Sequence, residues 1–234
     1  MIDVAVDAVR GVRTVTLDRP EARNALTMAA LEELERAVAE TDEPVLAVRG
    51  AGEAFCAGAD LDLVADLDPD GADALARRGQ DVARAIESSE AATVAAIDGP
   101  AVGGGLELAL ACDLRAATPR STFGEPGVTF GLFGAWGGTI RLPRVVGEGN
   151  ALDLALSGRT IDAETAREMG LVSRVVDEPG DVVAELADNP PETVAALKSR
   201  LRDDADVETR ERREAEAFAE LVDVHEERLR RLRE

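Results

Sequence analysis

Three consecutive glycines open the stretch of this sequence that is best suited to chemistry. Residues 102–113 read VGGGLELALACD, so the glycines precede a helical pattern. Glycine lets a ligand approach the backbone closely, and N–H groups at a helix start attract a negatively charged oxygen. Glu107 lies in the first helical turn, where the helix dipole favours an ionised carboxylate. The pattern predicts an oxyanion site, with an acid or base beside it.

A second stretch, residues 55–61, is expected to be the partner of the first. It reads FCAGADL and follows a predicted buried strand at 45–48, so it is a glycine-bearing loop at a strand end. Asp60 either positions this loop by accepting backbone N–H bonds or is merely exposed, and the first reading is favoured.

The elements that must position these loops alternate as strand, strand and helix, which is not the plain alternation of a doubly wound sheet. Period-two patterns and turn residues predict strands at 4–9, 12–17, 45–48, 93–97, 114–117, 121–123 and 171–176. Helical spacing and caps predict seven helical segments. Three have both ends assigned, at Thr27 to Glu40, 150–156 and Asp162 to Gly170. Two are predicted to end at Ser88 and at Ala111, one to begin at Thr139, and one to begin at Pro190 and continue through the rest of the chain. Residues 61–74 read as a mobile connection.

The last predicted helix is long and carries an apolar stripe. Its members are spaced three or four residues apart and are Phe218, Leu221, Val222, His225, Leu229 and Leu232. His225 is the only histidine, and its place on this stripe favours a packed or interface residue over a catalytic one.

Charge excludes several classes of partner. The 234 residues suit one domain and include 47 acidic and 26 basic side chains, for a net charge of −21. Such a surface repels nucleic acid and anionic lipid. No cluster has metal-ligand spacing, and no apolar run approaches the length of a membrane span. Cys56 and Cys112 read as buried reduced thiols rather than a disulfide or a nucleophile. Since Met1 is not followed by a signal-peptide pattern and no membrane span is predicted, a soluble cytoplasmic protein is expected.

The basic residues are almost all arginine, since Lys198 is the only lysine. This acid-rich surface resembles that of cytoplasmic proteins from salt-accumulating microbes, where salt screens the self-repulsion. We therefore expect weak folding at low salt and a higher Tm in molar salt, measured by thermal unfolding. A Tm that is the same at both salt concentrations contradicts this expectation.

Six ordered motifs connect the chain to a known family. They are LDRPEARNALT, FCAGADL, DGPAVGGGLELALACDLRAA, FGEPG, GGTIRLPRVVG and ALDLALSGRTIDAETAREMGLVSRVV. This series resembles the crotonase superfamily, the enoyl-CoA hydratase/isomerase fold. The resemblance implies an α/β fold with a crotonase-like spiral of strand-strand-helix repeats over residues 1–176. It also implies a helical region, 177–234, that serves oligomerisation and site closure, in a homotrimer or a dimer of trimers.

The same resemblance implies the chemistry. The N–H groups of Ala59 and Gly104 would hold the thioester oxygen of an acyl-CoA while it becomes an enolate, and Glu107 would be the first of the two glutamates of hydratases. The second glutamate is not matched, because its position is Gly127. Glu125 is the nearest carboxylate and is either the second catalytic group or a surface residue. The implied reaction is 2-enoyl-CoA hydration, without a cofactor beyond coenzyme A.

The resemblance also implies a set of contacts with the substrate. They are assigned to Arg23, Ala57, Asp60, Leu61, Gly103, Gly127 and Trp136. Arg23 would approach the CoA phosphates, although a solvated arginine is nearly as plausible. Trp136 is a core residue by default and would be a wall of the acyl pocket by hypothesis.

Three alternative functions remain open from the sequence. The missing second glutamate would matter less in a single-carboxylate decarboxylase or isomerase. Isomerases of the family tend to keep the second glutamate rather than the first, which counts against isomerisation. A protein of another class would bind acyl-CoA without catalysis, and a purely structural protein would bind no ligand.

Overall fold

The computed structural model describes residues 1–232, which form two β-sheets surrounded by helices. The strands are β1 (Ile2–Asp7), β2 (Val12–Leu17), β3 (Val45–Gly50), β4 (Ala92–Ile97), β5 (Pro100–Val102), β6 (Leu114–Ala117), β7 (Thr122–Gly124), β8 (Thr160–Asp162) and β9 (Arg174–Val175). The α-helices are α1 (Met28–Ala39), α2 (Leu61–Ala65), α3 (Pro69–Ser88), α4 (Gly104–Ala111), α5 (Gly138–Ser157), α6 (Ala163–Glu168), α7 (Pro179–Ala187), α8 (Pro191–Leu201), α9 (Val207–Val224) and α10 (Glu226–Arg231). Two short 3₁₀ helices cover Pro20–Ala22 and Pro126–Phe130.

The strand order confirms the predicted spiral. The larger sheet has the order β1-β2-β3-β4-β6-β9 and the smaller one the order β5-β7-β8. After β4 the chain enters β5 in the other sheet and then α4, and after β6 it enters β7 and then α5. Each of these turns is therefore strand, strand and helix. The β1–β2 pair is the predicted antiparallel hairpin, while the remaining pairs of the larger sheet are parallel.

The helix that carries Glu107 lies inside the protein. Every residue of α4 from Gly105 to Ala111 is buried, so this helix is enclosed on all sides rather than exposed on one face. The predicted inner face of α1, which includes Leu31, Leu34 and Val38, is also buried. A rigid core thus holds the start of α4.

The predicted mobile connection at residues 61–74 is wrong. Residues 61–74 are not a mobile connection but contain α2 and the first turn and a half of α3. The side chain of Asp60 accepts N–H bonds at the start of α2, and Asp68 accepts one from Gly71 at 2.8 Å. These caps satisfy the free N–H groups of the first turns and outweigh the turn-forming composition.

Other elements also differ from the expectation. Strand β1 ends at Asp7 because its carboxylate accepts the N–H groups of Val9 and Arg10 in the turn. The two predicted helical runs after residue 138 are both present within α5 and meet at a kink at Gly147, whose φ of 78° and ψ of 157° are not helical, whereas the late strand is only β9. The terminal helix is divided by residues 202–206 and again at His225.

The C-terminal helices attach to the body through a half-buried carboxylate, that of Asp113. Asp113 pairs with Lys198 at 2.9 Å and with Arg202 at 2.7 Å, and it also accepts the N–H of Thr93 at 2.7 Å. His225 is half-buried, and its Nε2 lies 3.1 Å from the Thr193 hydroxyl, so it packs as predicted. Helix α7 packs instead against the larger sheet through Val182 and Val183. Residues 233 and 234, at the end of the predicted helical region, lie outside the described residues.

The helices and the two cysteines bear on the membrane and thiol predictions. Within residues 1–232, no helix has both the length and the apolar character needed to cross a bilayer. Cys56 and Cys112 are buried free thiols, as expected. Burial raises the pKa of each thiol to about 12, so neither is a nucleophile at neutral pH.

Candidate active site

The loop at residues 55–60 uses all of its backbone N–H groups except that of Ala59. The donors and their acceptors are Phe55 and Cys56 to the Pro100 carbonyl, Ala57 to the Arg23 carbonyl, Gly58 to the Cys56 sulfur and Asp60 to the Leu26 carbonyl. Ala59 N–H finds no acceptor among residues 1–232. Ala59 is also only half-buried, so its donor remains available to a ligand.

Gly104 provides a second available donor next to the first. It is the first residue of α4, and an N–H in the first turn of a helix has no partner within the helix. The preceding Gly103 has a φ of 53°, which favours glycine, and its N–H donates to the Gly124 carbonyl at 3.0 Å. A Cβ added to Gly58 would lie 2.8 Å from the Gly104 nitrogen. The two predicted donors are thus brought together from distant parts of the sequence.

Glu107 is a buried carboxylate rather than an exposed glutamate at a helix start. Its side chain is 1% exposed, and its Oε1 accepts N–H bonds from Trp136 at 2.9 Å and Gly138 at 2.6 Å. Burial raises the pKa of Glu107 to about 7, while the two N–H bonds and the charge of Arg141 act in the opposite direction. Oε1 is therefore held in place, and Oε2 makes no hydrogen bond within the described chain.

Two glycines that the sequence analysis did not select make room for this carboxylate. A Cβ on Gly134 would lie 2.8 Å from Glu107 Cδ, and a Cβ on Gly138 would lie 2.7 Å from its Oε1. Real Cβ atoms do not approach other atoms so closely. With Glu107 in its observed position, only glycine therefore fits at residues 134 and 138. The signal was present in the glycine-rich stretch GLFGAWGG at residues 131–138.

Glu125 is buried, which makes the surface alternative wrong. Its side chain is 7% exposed, and neither carboxyl oxygen has a hydrogen-bond partner among residues 1–232. Burial, and then the charge of Glu107, raise the pKa of Glu125 to about 9, so it is protonated at neutral pH. A buried carboxyl without a partner is costly and points to a functional role.

Glu125 lines a mainly apolar cavity of about 270 Å³. The other lining residues are Val128, Phe133, Gly134, Gly138, Thr139, Leu142, Pro143, Glu148, Ala151, Leu152 and Ala155. Since Gly134 and Gly138 also contact Glu107, the cavity adjoins both carboxyl groups. Gly127, where the resemblance implies a contact with the substrate, lies against the turn at Leu132 and Phe133.

Trp136 is a core residue that packs against Gly104. Its side chain is 3% exposed and does not line the cavity. A Cβ on Gly104 would lie 2.3 Å from Cζ3 of the indole, and a Cβ on Gly79 would lie 2.1 Å from its Cδ1. The ring therefore occupies the space that side chains at these two positions would need.

The remaining predicted contacts surround the loop of Ala59. Asp60 has the predicted positioning role, because it accepts the N–H groups of Asp62 at 3.0 Å and Leu63 at 3.3 Å. It also pairs with Arg19, which lowers the pKa of its carboxyl. Ala57 is half-buried and Leu61 is exposed in or next to the Ala59 loop, and Arg23 is exposed in the turn that is hydrogen-bonded to this loop. Within the described residues, no three His, Cys, Asp or Glu side chains are grouped to hold a metal.

The chain is similar in sequence to a known family of proteins. The sequence profile described as enoyl-CoA hydratase/isomerase matches residues 7–229. The chain belongs to the enoyl-CoA hydratase/isomerase family. The short-chain-enoyl-CoA hydratase of Clostridium acetobutylicum is 35% identical over 231 residues, covering 93% of this chain and 88% of that protein. The crotonyl-CoA hydratase of Syntrophomonas wolfei is 41% identical over 175 residues, covering 73% and 67%.

Solved structures of the family show the same fold. The crystal structure of the enoyl-CoA hydratase from Bacillus anthracis has a TM-score of 0.86 and 35% identity, covering 93% of this chain and 89% of that one. That of the enoyl-CoA hydratase from Thermoplasma volcanium also has a TM-score of 0.86, with 29% identity and coverage of 95% and 92%. Members of this family named hydratases are thus similar to the chain over nearly its whole length.

Proposed function

We propose that the protein hydrates 2-enoyl-CoA thioesters. The carbonyl oxygen of the thioester accepts the N–H groups of Ala59 and Gly104. Ionised Glu107 removes a proton from water as the water oxygen bonds to Cβ, and the π electrons move onto the thioester oxygen. The enolate then collapses as neutral Glu125 donates its proton to Cα. Proton exchange with solvent restores both carboxyl groups, and no group beyond coenzyme A is required.

The observation that carries this proposal is the buried Glu125 beside Glu107, whose carboxyl oxygens have no hydrogen-bond partner in the described part of the chain. Hydration needs one group that accepts a proton and another that donates one. The two environments separate the carboxyl groups, with a pKa of about 7 for Glu107 and about 9 for Glu125. Near neutral pH the pair holds one proton, which suits a base and an acid acting together. Decarboxylation with a single carboxylate leaves Glu125 without a role.

The surroundings of the pair support a division of the substrate between two regions. The cavity beside Glu125 is mainly apolar and suits the acyl chain. The coenzyme would contact Ala57, Asp60 and Leu61 in and next to the Ala59 loop, and Gly103 at the start of α4. Arg23 is exposed beside this loop, where its guanidinium could bind phosphate.

The pH dependence of kcat/KM is expected to be bell-shaped. Activity should fall below about pH 7 as Glu107 is protonated, and above about pH 9 as Glu125 loses its proton. Because the two carboxyl groups interact, the two apparent pKa values of the profile describe the pair together and not either residue alone. Initial rates over a pH series in constant molar salt measure the profile. In Glu125→Gln the alkaline limb should disappear, and a limb that persists there would contradict the assignment of the acid.

A panel of acyl-CoA thioesters in molar salt tests the reaction itself. Loss of enoyl absorbance without gas release supports hydration, with the 3-hydroxyacyl product identified by mass spectrometry. Release of carbon dioxide from a carboxyacyl-CoA, without any hydration, would instead support the decarboxylase. Tight binding with no turnover of any thioester, unaffected by Glu107→Gln, would support the binding protein.

We also propose that the chain works as a homotrimer or a dimer of trimers in a salt-rich cytoplasm. Large apolar side chains are exposed both near the cavity and along the C-terminal helices, which supports burial between copies. They include Phe130, Leu132, Phe133, Leu156, Phe218, Val224 and Leu232. The free buried thiols support a reducing cytoplasm, and the net charge of −21 supports a salt-rich one.

A further inference from the structure

One buried amide connects the turn at residues 19–26 to the loop that carries Ala59. Asn24 is 1% exposed, and its Nδ2 donates to the carbonyls of Ala51 at 2.9 Å and Ala54 at 2.8 Å, with Phe55 at 3.2 Å. Its Oδ1 accepts the N–H of Arg19 at 2.9 Å. The side chain of Asn24 is therefore hydrogen-bonded both to the turn, through Arg19, and to the residues that lead into the Ala59 loop.

The backbone on both sides of Asn24, residues 23–26, runs alongside the Ala59 loop and is joined to it by four hydrogen bonds. The contacts are Ala57 N–H to the Arg23 carbonyl at 3.0 Å, Cys56 Sγ to the Asn24 carbonyl at 3.1 Å, Leu26 N–H to the Gly58 carbonyl at 2.8 Å and Asp60 N–H to the Leu26 carbonyl at 3.0 Å. The last two bonds lie on either side of Ala59. They fix both of its peptide planes and leave its own N–H free.

We propose that Asn24 is a positioning residue for the Ala59 oxyanion donor. It does not touch the substrate but sets the loop through the bonds of Leu26 on both sides of Ala59. The inference rests on the proposed function, since it assumes that Ala59 N–H binds the thioester oxygen.

The conformation of Asn24 explains why this residue type stands there. Its φ is 58°, in the left-handed region that asparagine adopts more readily than most residues. Only a residue that accepts this φ and also donates from its side chain can join the three carbonyls to the turn. Displacement of a catalytic donor by about 1 Å can cost on the order of 100-fold in rate.

The variant Asn24→Gly separates the side-chain bonds from the backbone conformation, because glycine accepts the same φ. We expect kcat for the best enoyl-CoA of the panel to fall about 10- to 100-fold, with KM within about twofold. The control is Thr93→Val at the start of β4, which also removes side-chain hydrogen bonds, those between Thr93 and Asp113. It should lose stability while keeping kcat.

The decisive readout is the infrared stretch of a ¹³C-labelled thioester carbonyl in bound enoyl-CoA. It is measured in the Glu107→Gln background so that the substrate persists. The frequency should be lower than in free enoyl-CoA, because two N–H donors polarise the carbonyl, and adding Asn24→Gly should reduce this shift. If Asn24→Gly does not fold, Asn24→Asp, which keeps the shape and loses the donor, is used with the same expectation.

The outcomes distinguish this inference from the function on which it rests. A full infrared shift and an unchanged kcat in the Asn24 variant would overturn the positioning role alone. No shift with Asn24 intact would overturn the oxyanion site, and the inference with it. An equal loss of kcat in Thr93→Val would show that lowered stability is the cause, and would also overturn the positioning role.

Discussion

Replacement of Glu107 by glutamine is expected to lower kcat about 1,000-fold with little change in KM. Glutamine keeps an oxygen that can accept the N–H bonds of Trp136 and Gly138, so the local structure should persist. It cannot take a proton from water, and the proposed reaction loses its base. Steady-state hydration in molar salt measures the effect, with thermal unfolding as the test of folding.

The control for this variant is Glu185→Gln, the same chemical change at an exposed salt bridge with Arg174. It should keep full activity. A kcat for Glu107→Gln within tenfold of the parent would show that another group is the base. It would then contradict the central role given to this carboxylate.

Replacement of Gly104 by leucine is expected to abolish measurable turnover. A Cβ at this position would lie 2.3 Å from Trp136, so the indole or the start of α4 must move, and the donor moves with it. Loss of one oxyanion donor costs about 3 to 4 kcal/mol of transition-state stabilisation in comparable sites. The variant should still show a cooperative unfolding transition, at a lower Tm, because the rest of the core is unchanged.

The control for this variant is Gly180→Leu in α7, where an added Cβ meets nothing within 4 Å. It should retain activity and fold normally. Turnover by Gly104→Leu at more than a few per cent of the parental rate would remove Gly104 from the site.

The predictable part of the site is the part that backbone chemistry determines. The glycine triplet and the loop at 55–61 indicated donors at Gly104 and Ala59, and the structure brings these two segments together. Glu107 was selected because it lies among apolar residues, and it is buried. These conclusions needed only local sequence and the resemblance to a family.

What could not be predicted depends on distant packing. The state of Glu125 is set by α5 and the 3₁₀ helix that enclose it, and nothing within FGEPG distinguishes a buried carboxyl from an exposed one. The roles of Gly134 and Gly138 become visible only when Glu107 is seen against them. Likewise, Asn24 reads as a turn residue until its three carbonyl partners, 27 to 31 residues away, are known.

The environment of Glu107 shows opposing effects on a single proton. Burial favours the neutral acid and is the largest effect, whereas two N–H bonds and Arg141 favour the carboxylate. Arg141 also donates to the Trp136 carbonyl and pairs with Glu87 at 2.6 Å, so its position is fixed. A pKa of about 7 leaves a base that is available at neutral pH and still strong enough to accept a proton.

A crystal structure with a bound, unreactive acyl-CoA tests the central claim most directly. The account predicts that the thioester oxygen lies about 2.7 to 3.1 Å from both Ala59 N and Gly104 N, with the acyl chain in the cavity beside Glu125. A thioester oxygen bound elsewhere, or within reach of only one of the two N–H groups, would contradict it.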